Sequence, residues 1–254
     1  MGRIISSYIM PHPPVIIPEV GKGGEKEASK TINAMKRAAE TIKNEKPSTI
    51  IITTPHGPVF EDYVYVSASD TLRGDFSRFG SREISMEFNN NTGLMNSIIG
   101  YAREQGIYSG GLEEELMQEY KVPRGLDHGA LVPLYYISKA YDKFKIVHIS
   151  IAGLPLPDLY KFGMAVSRAV NVSDEDAVFV ASGDLSHRLS HDAPYGYNSR
   201  GREFDELLVN AVKENRIEDL LFVDEDLCEN AGECGLRSFV IMFGAMDGYG
   251  IKPE

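Results

Sequence analysis

Six histidines are the residues of this chain that are best placed to do chemistry. Three of them, His12, His56 and His187, come at or just past the ends of short apolar runs rich in β-branched residues. His12 and His56 also stand in proline-containing turns, which fix the backbone and so hold an imidazole in one place. A fixed imidazole is suited to binding a transition-metal ion and to general acid–base catalysis.

The other three histidines have different settings. His128, in the sequence GLDHG, precedes a predicted helix, and we expect its side chain to face the same crevice. His148 lies inside an apolar run, which favours a packed residue of the core or of the sheet edge. His191 follows His187 by four residues, and its role stays open. A single histidine after a strand is more often a hydrogen-bonded turn residue than a ligand, so a metal site requires several of them to converge.

Apolar periodicity along the chain predicts the elements that hold these residues. Short apolar runs bounded by turn residues predict strands, and apolar residues recurring every three or four positions predict helices. The predicted strands are residues 3–10, 48–54, 144–151 and 177–182, with an additional antiparallel edge strand at 63–69. The predicted helices are an amphipathic one around 32–42 and others at about 90–105, 129–141, 157–171, 199–213 and 233–246.

Strands that alternate with helices predict a three-layer α/β/α fold around a central, mostly parallel sheet. In such a sheet, ligands bind in the crevice at the carboxyl ends of the strands. His12, His56 and His187 should therefore meet at one edge of the sheet. The chain has 254 residues and no Gly/Ser-rich linker, so we expect residues 1–254 to form a single domain.

Two imidazoles leave a first-row metal site incomplete, and the C-terminal region offers the candidates for a third ligand. Glu233 is predicted to open the buried C-terminal helix, which would hold its carboxylate near the core. A carboxylate at this position can also interact favourably with the positive end of the helix dipole without binding a metal ion, and this alternative stays open. Cys234 is the alternative ligand, and Glu229 is a weaker one. Two histidines and one carboxylate with open positions are typical of non-haem Fe(II) oxygen chemistry.

The composition argues against several classes of partner. Lysine and arginine number 26 against 37 acidic residues, and this net charge of −11 disfavours nucleic acid and anionic membranes. No uninterrupted apolar run reaches the length of about 18 residues that a membrane span needs. The two cysteines make no disulfide framework, and the proline-rich start is a poor signal peptide, so we expect a cytoplasmic protein.

The ordered landmarks of the chain resemble those of one known family. They are PHPP with His12, TTPHGP with His56, GLDHG with His128, SGDLSHRL with His187 and AGECGLRS with Glu233. Together they resemble the catalytic subunit of the class III extradiol ring-cleavage dioxygenases, the LigB-like family. The resemblance is greatest to the branch associated with the AmmeMemoRadiSam system, and it extends over almost the whole chain.

This resemblance implies a metal site and a reaction. Fe(II) would be bound by His12, His56 and Glu233, with Cys234 as the alternative ligand, and related members bind zinc instead. The substrate would be a catechol that chelates the iron through both oxygens while O2 takes a remaining position. The expected activity is therefore extradiol-type cleavage of a catecholic ring.

The resemblance also implies catalytic residues and alternatives. His187 corresponds to the acid/base, and His128 to a second active-site histidine that hydrogen-bonds to substrate or oxygen. The better-known enzymes of the family often work with a small partner subunit, and a homodimer is also compatible with the fold class. Memo-like relatives have a cysteine where Cys234 stands and are metal-binding signalling or redox proteins. A Memo-like function without ring cleavage and a zinc-dependent hydrolase are therefore the alternatives.

Overall fold

The structure, a computed structural model, describes residues 1–193 and 195–254. Its strands are β1 (Ile4–Met10), β2 (Thr49–Thr54), β3 (Val64–Tyr65), β4 (Thr71–Phe76), β5 (Ser81–Asn89), β6 (Ser109–Gly110), β7 (Lys145–Ser150) and β8 (Ala177–Ser182). Its helices are α1 (Pro18–Gly21), α2 (Ser29–Glu45), α3 (Thr92–Glu104), α4 (Glu114–Glu119), α5 (His128–Ala140), α6 (Leu156–Val172), α7 (Ser199–Lys213), α8 (Glu218–Leu221), α9 (Glu225–Ala231) and α10 (Leu236–Ala245). Among the described residues, none of these helices combines the length and the apolar character needed to cross a membrane.

The central sheet has four strands in the order β1-β8-β2-β7, and all its neighbours are parallel. Successive residues of a strand point to opposite faces, so both faces of this sheet carry apolar side chains. Ile51 of β2 belongs to the core cluster on one face, together with residues of α3, α6, α7 and α10, whereas Ile50 and Ile52 belong to the cluster that includes residues of α2 and α5. Helices therefore cover both faces, and the predicted three-layer α/β fold with a mostly parallel sheet is confirmed.

Two predicted elements differ from the structure. The segment 63–69 forms only a two-residue strand, which pairs in parallel with β6. Its backbone groups bond mostly to residues 108–110, and a single antiparallel bridge from Val66 to Ile149 joins it to the central sheet. The last helix begins at Leu236 and not at residue 233, because Gly232 adopts a left-handed conformation that ends α9 and a short turn follows. Glu233 thus precedes that helix.

Helices α6 and α10 approach each other so closely that glycine is needed on both sides. A Cβ added at Gly163 would collide with the carbonyl oxygen of Ile241, and one added at Gly244 would collide with that of Tyr160. We expect Gly163→Ala to lower the free energy of unfolding by about 1–3 kcal/mol, because the helices must move apart to admit the methyl group. Urea denaturation followed by circular dichroism measures this loss.

The matched control for this prediction is Gly100→Ala, in the middle of α3. No described atom other than those of its own helix turn lies within 4 Å of a Cβ added there. Alanine is the better helix former, so we expect this variant to gain about 0.4–1 kcal/mol. Equal stability of the two variants would contradict the close packing of α6 on α10.

Candidate metal centre

Four histidines gather near the carboxyl edge of the central sheet. His12 follows β1, His56 follows β2, His187 lies in the loop after β8, and His128 is the first residue of α5. The rings of His56 and His128 stack with their centroids 4.2 Å apart, and the His12 ring meets the His56 ring edge-on at 4.7 Å. The parallel sheet thus brings together residues that are far apart in the sequence.

The nitrogen atoms of three of these rings form a group that could hold a metal ion. One ligand atom each from His12, His56 and His128 lies within 4.8 Å of the other two. Nε2 of His12 and Nε2 of His56 are 2.9 Å apart. His12 is buried and His56 is exposed, so the group extends from the core to the solvent.

Hydrogen bonds determine which nitrogen of His12 carries the proton. Ser182 Oγ lies 2.5 Å from the carbonyl oxygen of Gly129 and 2.8 Å from Nδ1 of His12. A carbonyl oxygen can only accept, so the Ser182 hydroxyl donates to Gly129 and accepts from Nδ1–H of His12. The neutral ring consequently has its lone pair on Nε2, the atom nearest His56. Converging imidazole nitrogens of this kind fit a first-row divalent metal ion such as iron or zinc.

Burial keeps the clustered imidazoles neutral. Desolvation lowers the pKa of His12 from 6.5 to about 4, and the nearby carboxylate of Asp184 only partly opposes it. Burial likewise lowers the pKa of His56 and of His128. A neutral imidazole is the form that binds a metal ion, so no proton has to be removed from these rings at neutral pH.

The metal-free protein should lose stability as the pH falls from 6.5 towards about 4. In this range the unfolded chain takes up a proton that the buried His12 ring does not, so each step down in pH favours unfolding. The shift of the His12 pKa from 6.5 to about 4 corresponds to on the order of 3 kcal/mol. Urea unfolding of chelator-treated protein across this pH range measures the loss. A His12→Asn variant should show a shallower pH dependence, and equal slopes would contradict the depressed pKa.

Ser182 should influence metal binding through its hydrogen bond to His12. Outer partners that orient a ligating imidazole typically change metal affinity by about 10- to 100-fold, and we expect a loss in this range for Ser182→Ala. Competition with a chelator for Zn(II) gives the affinity. Ser109→Ala is the control, because its buried hydroxyl has no hydrogen-bond partner among the described residues. A Ser182→Ala protein with the affinity of the Ser109→Ala control would show that Ser182 does not orient His12.

Asp184 is a site residue that sequence reasoning missed. Its Oδ1 accepts a hydrogen bond from the backbone N–H of His12 at 3.0 Å. Its Oδ2 lies 3.6 Å from Nε2 of His12 and 3.5 Å from Nε2 of His187. Asp184, His12 and Cys234 form a second group whose ligand atoms lie within 4.8 Å of one another. The available signal was the position of Asp184, two residues after the predicted strand 177–182 and three residues before His187.

Cys234 belongs to the second of the two groups of possible metal ligands, together with His12 and Asp184. Its Sγ is 3.6 Å from Nε2 of His12 and accepts a hydrogen bond from the backbone N–H of Asp184 at 3.3 Å. Burial raises the pKa of the Cys234 thiol to about 12, so the sulfur is protonated in the metal-free protein. A bound divalent cation would favour the thiolate, because a coordinating thiol loses its proton.

Glu233 has a different environment. Its carboxylate accepts a hydrogen bond from the backbone N–H of Leu236 at 2.7 Å, and so binds a donor that the first turn of α10 would otherwise leave without a partner. Burial raises its pKa, although this hydrogen bond and the nearby Arg237 partly offset the effect. Glu233 also lines a cavity of about 500 Å³ with Leu154 and Arg237. Among the described residues, neither metal-competent group includes it.

His187 offers a free ring nitrogen beside the cluster. Its Nδ1 lies 2.5 Å from the carbonyl oxygen of Gly232, which can only accept, so Nδ1 carries a proton. Neutral His187 therefore has its lone pair on Nε2, on the side of Asp184. The Tyr195 ring lies against His187 with centroids 5.4 Å apart. An imidazole held in this way can take a proton from a bound hydroxyl group and later return it.

Comparison with known proteins gives one family match and several relatives. The family model for the catalytic LigB subunit of aromatic ring-opening dioxygenase matches residues 6–254. The chain is 43% identical over 247 residues to Protein CA_C1420 of Clostridium acetobutylicum, covering 97% of this chain and 53% of that protein. The chain thus spans about half the length of this relative.

More distant relatives include two named dioxygenases. The 2-aminophenol 1,6-dioxygenase beta subunit of Pseudomonas sp. is 23% identical over 275 residues, covering 96% of this chain and 86% of the subunit. The 3,4-dihydroxyphenylacetate 2,3-dioxygenase of Escherichia coli is 25% identical over 231 residues, covering 85% of this chain and 79% of the enzyme. The solved structure of the uncharacterized protein JW3007 from Escherichia coli K12 has a TM-score of 0.58 and 16% identity, covering 86% of this chain and 83% of that one. This last likeness supports the fold alone.

Proposed function

Because the chain belongs to the family of catalytic LigB subunits of aromatic ring-opening dioxygenases, we propose that it opens a catecholic ring with O2 at an Fe(II) centre. The observation that carries the proposal is the pair of Nε2 atoms of His12 and His56, 2.9 Å apart at the edge of the sheet. The hydrogen bond from His12 Nδ1 to Ser182 leaves the His12 lone pair available to the metal ion. His128 stacks on His56, and one of its ring nitrogens lies within 4.8 Å of the ligand atoms of His12 and His56.

For the remaining ligands, we favour Asp184 and Cys234 over Glu233. The carboxylate of Asp184 and the sulfur of Cys234 both lie 3.6 Å from Nε2 of His12, whereas the carboxylate of Glu233 bonds to the start of α10. The affinities of Asp184→Asn, Cys234→Ser and Glu233→Gln for Fe(II) test this choice. We expect a lower Fe(II) affinity in Asp184→Asn and in Cys234→Ser. A loss of affinity confined to Glu233→Gln would instead support Glu233 as the ligand, as the sequence predicts.

A bound iron would supply the Lewis acid that polarises a chelating catechol and gathers both reactants in one site. The chain itself supplies the proton transfers. Nε2 of His187 takes the proton of a substrate hydroxyl, and the carbonyl of Gly232 keeps the opposite ring nitrogen protonated. We assign to His128, at the start of α5, a hydrogen bond to substrate or oxygen. Aromatic rings at the cluster, Phe79 against His128 and Tyr195 against His187, offer apolar contact to an aromatic substrate.

The test is an oxygen-uptake assay on protein purified and loaded with Fe(II) under anaerobic conditions. A panel of catechols, including 3,4-dihydroxyphenylacetate, is added together with O2, and the related 2-aminophenol is tested beside them. We expect stoichiometric oxygen consumption and a yellow ring-opened product with at least one of them, and none with His12→Ala protein. Iron-loaded protein that consumes no oxygen with any member of the panel would contradict the proposal.

A second candidate function is metal binding or redox chemistry without ring cleavage. The observation that favours it is the contact between Cys234 Sγ and Nε2 of His12, because sulfur is a soft ligand that suits electron-transfer and copper or zinc sites. The same assay separates the two functions. Protein that binds metal through His12 and Cys234 but leaves every catechol intact would support the second function and exclude the first.

A further inference from the structure

A buried chain of hydrogen bonds runs behind the histidine cluster. His148 in β7 is 1% exposed, and its two ring nitrogens both have partners. Nδ1 lies 2.8 Å from Ser67 Oγ, and Nε2 lies 3.2 Å from Oδ2 of Asp127. The expectation of a packed histidine is met in burial, but this ring also contacts the residue that directly precedes His128.

Asp127 is the residue through which this chain reaches the site. Its Oδ1 accepts hydrogen bonds from the backbone N–H groups of Gly129 and Ala130 and from the hydroxyl of Thr54, at 2.8, 3.3 and 2.6 Å. Burial opposes ionisation of Asp127, but the hydrogen bonds from His148 and Thr54 outweigh it and hold its pKa below the ordinary value. Three donors bind Oδ1, and Oδ2 accepts the hydrogen bond from Nε2–H of His148, so both oxygens of the carboxylate have partners.

The same carboxylate is connected to two of the clustered histidines. His128 follows Asp127 directly and begins α5, whose first turn Asp127 caps. Thr54, which donates to Asp127, accepts a hydrogen bond from the backbone N–H of His56 at 3.2 Å. A shift of the Asp127 carboxylate would therefore move the backbone at both His56 and His128.

Capping a helix does not by itself require the contact with His148. Asp224 caps α9 with a single backbone hydrogen bond and an exposed ion pair to Arg200. In Asp127 the capping donors all bind Oδ1, and His148 binds the other oxygen. With donors on both oxygens, the plane of the carboxylate is fixed as well as its position.

We infer that His148 is a positioning residue of the metal centre, which acts through Asp127 to hold the ligand His56, and His128 beside it, in place. The inference rests on the proposed metal site and adds a residue from a neighbouring strand to it. Ser67 completes the arrangement, because its hydroxyl forms a hydrogen bond of 2.8 Å with Nδ1 of His148.

The experiment compares the Co(II) affinities of chelator-treated variants by competition with a chromophoric chelator, together with their visible Co(II) spectra. We expect His148→Phe, which keeps a ring but donates no hydrogen bond, to bind Co(II) about 10-fold more weakly than the parent protein. His148→Gln retains an N–H donor and should recover most of the affinity. Ile146→Val, a buried change in the same strand, is the control for a loss of packing alone, and it should bind Co(II) like the parent.

The outcomes separate this inference from the proposed metal site. Parent protein that binds no Co(II) would contradict both. A parent that binds Co(II) and a His148→Phe protein with the same affinity and spectrum would overturn the inference alone, as would equal losses in His148→Phe, His148→Gln and Ile146→Val. If His148→Phe does not fold, Ser67→Ala replaces it. A several-fold loss of affinity in Ser67→Ala supports the role of His148, and an unchanged affinity overturns it.

Discussion

Replacing His187 with asparagine should lower the turnover of catechol opening by about 100- to 10,000-fold, the range that general acid–base catalysis typically contributes. The physical reason is which nitrogen of the His187 ring carries the proton. The carbonyl of Gly232 holds the proton on Nδ1, and the free Nε2 is the atom available to accept a substrate proton. An asparagine side chain can still donate to Gly232, but it has no basic nitrogen that can accept the substrate proton.

This prediction is specific for turnover. Iron affinity should stay within about twofold of the parent, because we assign His187 no bond to the metal ion. His191→Asn is the matched control, since its ring lies against Tyr197 and it is four residues further along the chain. We expect parent-like turnover in that variant. If His187→Asn turned over catechols as fast as His191→Asn, another group would have to move the proton.

Replacing His12 with alanine should abolish metal binding at working concentrations. Substitutions of the outer partners of a ligand cost up to about 100-fold in affinity, and the loss of a ligand itself should exceed that. Among the described residues, His12 is the one that belongs to both groups of possible metal ligands, so its loss affects both groups. Metal content after dialysis, measured by plasma emission spectrometry, gives the result directly.

Stability has to be measured in the same protein, because His12 is buried. The neutral His12 ring bonds to Ser182, and its loss leaves a cavity and removes one of the two hydrogen bonds of the Ser182 hydroxyl, which still donates to Gly129. Circular dichroism at neutral pH distinguishes a folded, metal-free variant from an unfolded one. A folded His12→Ala protein that retains one iron per chain would contradict the site. His56→Ala, at an exposed position, should lose metal with a smaller effect on stability.

Much of the fold follows from local sequence patterns. Strands such as β2 and β8 are continuous apolar runs that end in turn residues, and a fully buried parallel strand requires that composition. The local sequence does not predict the hairpin of β4 and β5. Gly74 and Asp75 interrupt the apolar pattern of β4, and exposed polar residues alternate with half-buried ones along most of β5. Its pairing depends on contacts with α5 and β7, which no local pattern records.

The sequence also predicts only some of the residues of the candidate site. His12, His56 and His187 could be predicted because they follow strands whose carboxyl ends meet at one edge of the sheet. Asp184 could not be singled out, because an acidic residue in a loop is common and its contacts with His12 arise only in the folded chain. The sequence pattern predicts that Glu233 begins the last helix, but that helix begins three residues later. The carboxylate of Glu233 therefore bonds to the first turn of the helix, and Cys234 lies beside His12.

The most direct test of the metal centre is anomalous X-ray diffraction from crystals of the protein loaded with Fe(II) in the absence of oxygen. The structure predicts one peak at the iron edge, at bonding distance of about 2.0–2.2 Å from Nε2 of both His12 and His56. Asp184 and Cys234 should lie on the remaining sides of that peak. A peak bonded to neither histidine, or one at Glu233 on the cavity side, would contradict the proposed centre.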